Sequence, residues 1–438
     1  MIEISFTTIF VATLGILLLL AARIPVAGVL FGVGLIGITI VADFRTAAVV
    51  LKTVPYSFAS SWSLSALPMY LLMGYLAFEC GMAERIYYLV RLTLHKVPGA
   101  IAVTTTFACA GFGAISGSAG ATTATFGKLA IPEMLRDNYD KGLAAGCVAA
   151  AGTMGSLMPP SILMIIYASL VETSVAQVFI AGVLPCLLSA AIYAAMIIIR
   201  VKLKPSLAPM SLNIKATSKD VLRGFGSLWD AYVLIFIVFG GIYSGFVTPT
   251  EAGGLSAFAA LVIGLTTRRL NWEKIKHSFF EAMKVTGYVL IIGVGASIFT
   301  RFLALAGVHE YLEQSLGGLS QIGFMGLIFL VFVVLGMFLD PIGMMLLTIP
   351  VLTPIFAALD ISLVWFGVLM IKAMELGNIT PPVGLGVYII KGVVGNTIPL
   401  ETIFKGILWF ALMDMITFWI LVLFPGISLL LPQFFYGL

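Results

Sequence analysis

Two motifs in the chain share their residue types and spacing, and each places two prolines where a helix would otherwise continue. Gly-Ser-Leu-Met-Pro-Pro occupies 155–160, and Gly-Asn-Ile-Thr-Pro-Pro occupies 377–382. A Pro-Pro pair removes two N–H donors, so carbonyl groups upstream lose their helical partners. These carbonyls are hard oxygen ligands that suit a desolvated cation such as Na⁺. The alternative is a kinked helix whose free carbonyls are satisfied by neighbouring helices.

A polar turn lies upstream of each motif. Residues 114–123 combine glycine and alanine with the hydroxyls of Ser116, Ser118 and Thr122. Small residues allow a close backbone approach to a ligand, but they are also typical of tight helix packing. Residues 336–343 contain Asp340, whose carboxylate can coordinate a cation, cap the helix that follows, or do both.

The composition indicates that lipid is the main solvent of these motifs. Of 438 residues, 61% are hydrophobic and only 10% are charged, whereas soluble chains carry about 25% charged residues. The four cysteines fall singly in apolar segments, which favours packing over a metal or disulfide role. The first apolar run, 4–22, lacks the features of a cleaved leader and is predicted to be a retained span. The chain is therefore predicted to be an integral membrane protein.

The elements that position the motifs are apolar segments of nearly membrane-spanning length, about 20 residues. Simple runs lie near 4–22, 24–42, 64–82, 177–199, 228–246, 251–267, 284–304 and 405–424. The basic loops 200–226 and 268–276 are predicted to be cytoplasmic, which puts both termini on the outer, periplasmic side of a bacterial inner membrane.

Segments 99–136 and 319–358 each begin and end on one side in this topology, so each is predicted to be a re-entrant hairpin. They enter from opposite faces, and the interrupted helices 141–170 and 361–390 follow them. The predicted fold is an all-α polytopic membrane protein with about 10–12 membrane segments and two inverted repeats. Paired interruptions of this kind indicate a transporter's binding site.

The same pattern divides the chain into five predicted parts. Residues 1–98 are predicted to form scaffold spans and a cytoplasmic interfacial helix at 83–97. The two transport halves are predicted at 99–170 and 319–391. Further scaffold spans with cytoplasmic loops are predicted at 171–318, and a C-terminal span at 392–438.

Two cation sites and one anion site are predicted at the turns and breaks. Sodium site 1 comprises Ser116, Ser118, Gly152, Thr153 and Gly155, and sodium site 2 comprises Gly336, Asp340, Gly377, Asn378 and Thr380. Helix N-termini at these breaks suit an anionic substrate, and its predicted contacts are Ser118, Thr122, Pro159, Pro160, Arg301, Pro381 and Pro382. Arg301 can pair with a carboxylate or extend to the interface. Two or more sodium ions are expected per substrate, with Asp340 as the only acid at depth.

An enzyme is disfavoured because the three histidines fall in predicted loops or interfacial stretches, remote from the serines of the first turn. The chain also lacks a nucleotide-binding loop and a zinc-protease motif. Transport energy must then come from an ion gradient or a partner.

Motifs at 112–118, 128–134, 152–161, 247–252 and 377–383 resemble the large membrane (M) subunit of the tripartite ATP-independent periplasmic (TRAP) transporter family. The resemblance implies a sodium-coupled importer of organic acids such as C4-dicarboxylates or sialic acid, with an elevator motion of the hairpin-bearing domain. It also implies a periplasmic substrate-binding protein and a small membrane (Q-type) subunit. That subunit is expected to be a separate chain, because no block of about four spans precedes residue 1. Alternatives are a stand-alone sodium/anion symporter and a channel or scaffold subunit.

Overall fold

A computed structural model describes residues 11–12, 14–16, 18–19, 22, 24–209, 217–308, 311 and 318–437. The predicted span 4–22 and His309 therefore lie wholly or mostly outside the described residues. The described part is built almost entirely of helices, which confirms the all-α class.

The first group of helices precedes the first predicted hairpin. It comprises α1 (Val26–Val41), α2 (Phe44–Ala59), α3 (Ala66–Glu79) and α4 (Met82–Leu94). Helices α3 and α4 meet at a 65° bend, where Gly81 adopts a left-handed conformation with φ of 71°. Helix α4 matches the predicted amphipathic segment 83–97, and its apolar side is buried.

The first hairpin and the broken helix occur where the sequence predicts them. Hairpin 1 consists of α5 (Ala100–Ser116) and α6 (Ala119–Arg136), and it is followed by α7 (Lys141–Leu157) and α8 (Ile162–Leu170). The hairpin turns at Gly117, whose φ of 61° suits glycine, and the Ser118 side chain caps α6. The axes of α7 and α8 differ by 44°.

The middle of the chain contains the longest helices. They are α9 (Val175–Leu203), α10 (Ser218–Gly226), α11 (Trp229–Tyr243), α12 (Pro249–Thr266) and α13 (Trp272–Leu305). Thr248 and Glu251 form a reciprocal capping box at the start of α12, as expected for a Thr-x-x-Glu sequence.

The second hairpin and broken helix repeat the first in element order. Hairpin 2 consists of α14 (Gln321–Gly336) and α15 (Pro341–Ala358), and α16 (Leu363–Ile379) and α17 (Leu385–Val394) follow. The chain continues as α18 (Leu400–Leu423) and α19 (Gly426–Tyr436). Within the described residues, four helices are long and apolar enough to cross a membrane, or up to seven if each bent pair counts as one span.

The helices pack in two main sets. Helix α13 lies along α1, α2 and α3, and α12 packs on α3. Helix α7 packs against both arms of hairpin 1 and against α18, while α9 contacts α5, α16 and α18. The crossing of α7 and α18 is so close that a Cβ atom on Gly146 would lie 2.6 Å from the carbonyl carbon of Gly406. The division into scaffold and transport parts remains a prediction, and α9, from the predicted scaffold part, lies against the hairpin-bearing set.

An ion cluster around the buried Asp230 lies beside the bend between α3 and α4, where Arg85 Nε also donates to Gly81 O at 3.1 Å. Asp230 on α11 accepts a bidentate pair of hydrogen bonds from Arg85, with N–O distances of 2.9 and 2.7 Å. Arg269 donates to the same carboxylate at 2.8 Å. Because Asp230 is fully buried, both guanidinium groups are needed to offset the cost of removing its charge from water.

Candidate functional site

The tip of hairpin 1 is seated directly on the end of α7, just before the first Pro-Pro break. A Cβ atom on Gly155 would lie 2.8 Å from the carbonyl oxygen of Ser118, and one on Gly152 would lie 2.7 Å from Thr123 Cα. Beyond the break, the N–H of Ile162 donates to the carbonyl oxygen of Gly117 at 3.2 Å. The glycines are therefore required for this contact, since any side chain would separate the two backbones.

Oxygen atoms line up at this contact. Ser116 Oγ lies 3.0 Å from Thr122 Oγ1, and Thr122 Oγ1 donates to the carbonyl oxygen of Ser118 at 2.8 Å. The side chains of Ser116 and Thr122 are buried. The hydroxyl of Thr153 instead donates to Ala150 O within its own helix, at 2.7 Å. The structure thus brings the hairpin oxygens of predicted sodium site 1 together beside Gly155.

The second hairpin makes an equivalent backbone contact with the second break. A Cβ atom on Gly377 would lie 2.8 Å from Gly336 Cα and 3.0 Å from Phe332 O. Asn378 is buried, and among the described residues its side-chain oxygen Oδ1 has no hydrogen-bond partner. The Thr380 hydroxyl donates to Leu376 O at 2.6 Å. A buried amide oxygen without a donor is costly unless a ligand occupies it, and its chemistry suits a hard cation.

Asp340 caps the second arm of hairpin 2, one of the two roles that the sequence left open. Its Oδ2 accepts from the N–H groups of Ile342 and Gly343 at 3.1 and 3.2 Å. Its Oδ1 accepts from the Tyr288 hydroxyl on α13 at 3.1 Å. The carboxylate therefore links hairpin 2 to α13, and its role as a sodium ligand remains a prediction.

The two Pro-Pro breaks lie in different surroundings although their sequences match. Pro159 and Pro160 are buried, whereas Pro381 and Pro382 are exposed. The tyrosines that follow differ in the same way, since Tyr167 is buried and Tyr388 is 46% exposed. The Pro-Pro pair is therefore buried at the first break and exposed at the second.

Predicted substrate residues line two different cavities. One of about 350 Å³ is lined by Ser116 and Ser118 together with Lys128, His277 and Glu281. Another of about 550 Å³ includes Arg301 together with residues of α2, α8 and α15. Ser118 and Arg301 thus line different cavities. His277, predicted to lie in a loop or interfacial stretch, lies in helix α13, and its Nδ1 is 3.3 Å from Glu79 Oε1.

A buried charge cluster lies roughly two helical turns before the second break. Lys372 Nζ lies 3.1 Å from Glu375 Oε2 and 2.5 Å from Asp414 Oδ1, and all three side chains are buried. Glu375 Oε1 accepts from the Ser156 hydroxyl on α7 at 3.0 Å. The expectation that Asp340 is the only acid at depth is therefore wrong. A lone acid in the apolar run 405–424 was the signal that sequence reasoning missed, because an intramembrane acid indicates a functional or paired group.

The family model that describes the DctM component of the tripartite ATP-independent periplasmic transporter matches residues 13–427. The chain belongs to this family. It is a large permease subunit of the TRAP type, a transport protein rather than an enzyme, and a multi-pass membrane protein.

Individual relatives match nearly the whole chain. The C4-dicarboxylate TRAP transporter large permease protein DctM of Pseudomonas aeruginosa is 35% identical over 384 residues, which cover 85% of this chain and 86% of that protein. The sialic acid TRAP transporter permease protein SiaT of Haemophilus influenzae is 30% identical over 99% of this chain and 69% of its own length. The isethionate TRAP transporter permease protein DctMQ of Oleidesulfovibrio alaskensis is 29% identical over 96% of this chain and 65% of its own length.

A solved structure has the same general fold. The YdaH transporter of Alcanivorax borkumensis superimposes with a TM-score of 0.61 at 15% identity, covering 89% of this chain and 90% of that chain. At this identity the likeness concerns the fold alone.

Proposed function

We propose that this TRAP large permease imports a small organic acid anion together with sodium ions. The substrate passes to it from a periplasmic binding protein, and a small membrane subunit works beside it. The hairpin-bearing set of helices moves across the membrane as an elevator. The protein works in a bacterial inner membrane with both termini on the periplasmic side.

The observation that carries this proposal is the seating of each hairpin tip on the broken helix that follows it. At the first tip, Ser116, Ser118 and Thr122 gather hydroxyl and carbonyl oxygens. At the end of α16, beside the second tip, Asn378 Oδ1 is buried and has no donor within the described part of the chain. Neutral oxygens of this kind replace the hydration shell of a monovalent cation without fixing a full negative charge beside it.

The substrate class follows from the relatives and from the chemistry of the breaks. The relatives are named for the transport of C4-dicarboxylates, sialic acid and isethionate, and all three are small acids. The starts of α8 and α17 present the positive ends of helix dipoles, which attract an anionic group.

A reconstitution experiment tests the proposal. The chain and its small membrane subunit are reconstituted into proteoliposomes, and the binding protein encoded by a neighbouring gene is added outside. Uptake of labelled C4-dicarboxylate, sialate and isethionate is then measured. We expect accumulation above equilibrium for one acid, only with an inward sodium gradient and only with all components. Uptake by this chain alone would favour the stand-alone symporter, and equilibration without accumulation would favour a channel. Uptake that follows a pH gradient without sodium would refute sodium coupling.

A further inference from the structure

One hydrogen bond joins the two broken helices upstream of their Pro-Pro breaks. Ser156 on α7 lies three residues before Pro159, and Glu375 on α16 lies six residues before Pro381. The Ser156 hydroxyl is 3.0 Å from Glu375 Oε1 and also contacts Thr153 O at 2.7 Å. Both side chains are buried, at 3% and 2% exposure.

The orientation of Glu375 is fixed from its other side. Its Oε2 accepts from Lys372 at 3.1 Å, and the same ammonium group pairs with Asp414 on α18. The Lys372 and Glu375 side chains share one face of α16 because they are three residues apart. A carboxylate held by an ammonium group inside the protein is a strong, directional acceptor. The Ser156 hydroxyl, whose one proton faces both Glu375 Oε1 and Thr153 O, therefore links α7 to α16.

The backbones on both sides of this link are in direct contact with the hairpin tips. One residue before Ser156, Gly155 touches Ser118 of hairpin 1, and two residues after Glu375, Gly377 touches Gly336 of hairpin 2. A displacement of either helix end that accompanies ion binding therefore acts on the other end through the Ser156–Glu375 bond. Coupling between sites is carried by hydrogen-bonded and packed groups of this kind.

We infer that Glu375 and Ser156 are positioning residues that couple the two sodium sites, so that occupation of one site raises the affinity of the other. This inference rests on the proposed sodium coupling. The Ser156–Glu375 hydrogen bond carries the coupling, and Lys372 with Asp414 holds Glu375 in place. Neither residue of the bond is required as a sodium ligand.

Equilibrium binding of radiolabelled sodium to the purified full chain tests the inference. We expect a Hill coefficient above one for the unaltered protein. Ser156→Ala should bring the coefficient to about one and raise the half-saturating sodium concentration roughly fivefold or more, the size of a typical coupling between sites. The number of ions bound should stay the same.

Two control variants separate coupling from packing. Ser189→Ala removes another buried hydroxyl, but Ser189 donates only to Pro185 O within its own helix, so its binding curve should match the unaltered protein. Glu375→Gln can still accept from Lys372 and donate to Ser156, so cooperativity should survive, whereas Glu375→Ala should abolish it.

The outcomes distinguish this inference from the proposed function. If the unaltered protein binds no sodium, sodium coupling itself is wrong. If it binds sodium cooperatively and Ser156→Ala keeps the same Hill coefficient, the coupling role is wrong while sodium transport stands. If Ser156→Ala binds fewer ions, Ser156 is a ligand and the positioning role is overturned.

Discussion

Replacement of Gly155 by alanine should unseat the tip of hairpin 1 from the end of α7. The added Cβ atom would lie 2.8 Å from the backbone oxygen of Ser118, whereas ordinary contact begins near 3.4 Å. The two backbones must therefore separate by roughly 0.6 Å. Overpacking of this kind costs about 1–3 kcal/mol. Because the hairpin oxygens of predicted sodium site 1 lie at this contact, we expect the loss to appear in sodium affinity.

The magnitude follows from that cost. A loss of about 1–3 kcal/mol weakens sodium binding by roughly 5- to 150-fold. The intrinsic helical stability of α7 should not fall, because alanine favours the helical conformation by about 1 kcal/mol over glycine. Radiolabelled sodium binding and thermal unfolding, measured on the same purified protein, separate the two effects.

Gly120→Ala is the matched control for this substitution. Gly120 lies in the same hairpin tip, but the nearest atom to its added Cβ would be Ile389 Cδ1 at 3.8 Å. This variant should bind sodium like the unaltered protein. A folded Gly155→Ala protein with unchanged sodium affinity would refute the argument that the seated tip forms the site.

Three further predictions concern the side chains around the breaks. Asp340→Asn should lower transport more than stability, because an amide still caps the helix but loses its charge; normal uptake at normal expression would exclude the ligand role. Thr153→Ala and Thr380→Ala should each shift the sodium dependence of initial uptake to higher concentration, and a hyperbolic curve that neither moves would remove support for paired sites. Lys372→Met should lower the unfolding temperature strongly, since breaking a buried ion pair costs about 3–5 kcal/mol; an unchanged unfolding temperature would contradict the buried cluster's role.

The breaks and hairpins could be predicted from sequence because their signals are local. Proline removes an N–H donor wherever it stands, and Gly117 provides a turn between two apolar arms. The predicted side from which each hairpin enters the membrane then followed from the charges that flank each segment. These signals depend on few residues and need no knowledge of tertiary contacts.

The sequence did not predict which residues from different helices contact each other. The pairing of Lys372 with Glu375 follows from helical spacing, but Asp414 joins them from another helix. Tyr288 meets Asp340 in the same way. The two Pro-Pro breaks have the same local sequence, yet one is buried and the other is exposed, because burial depends on the helices packed around each break.

The buried Asp230 cluster has a consequence for how the chain enters the membrane. Arg85 precedes Asp230 by 145 residues, and synthesis runs from the N-terminus. In the predicted topology, the Arg85 charge has no Asp230 to meet while the early helices are inserted, so we expect it to act as a cytoplasmic retention signal. Asp230 is made later and then shares its one negative charge between Arg85 and Arg269 inside the fold. On this expectation, one arginine acts first on membrane orientation and afterwards holds together helices made at different times.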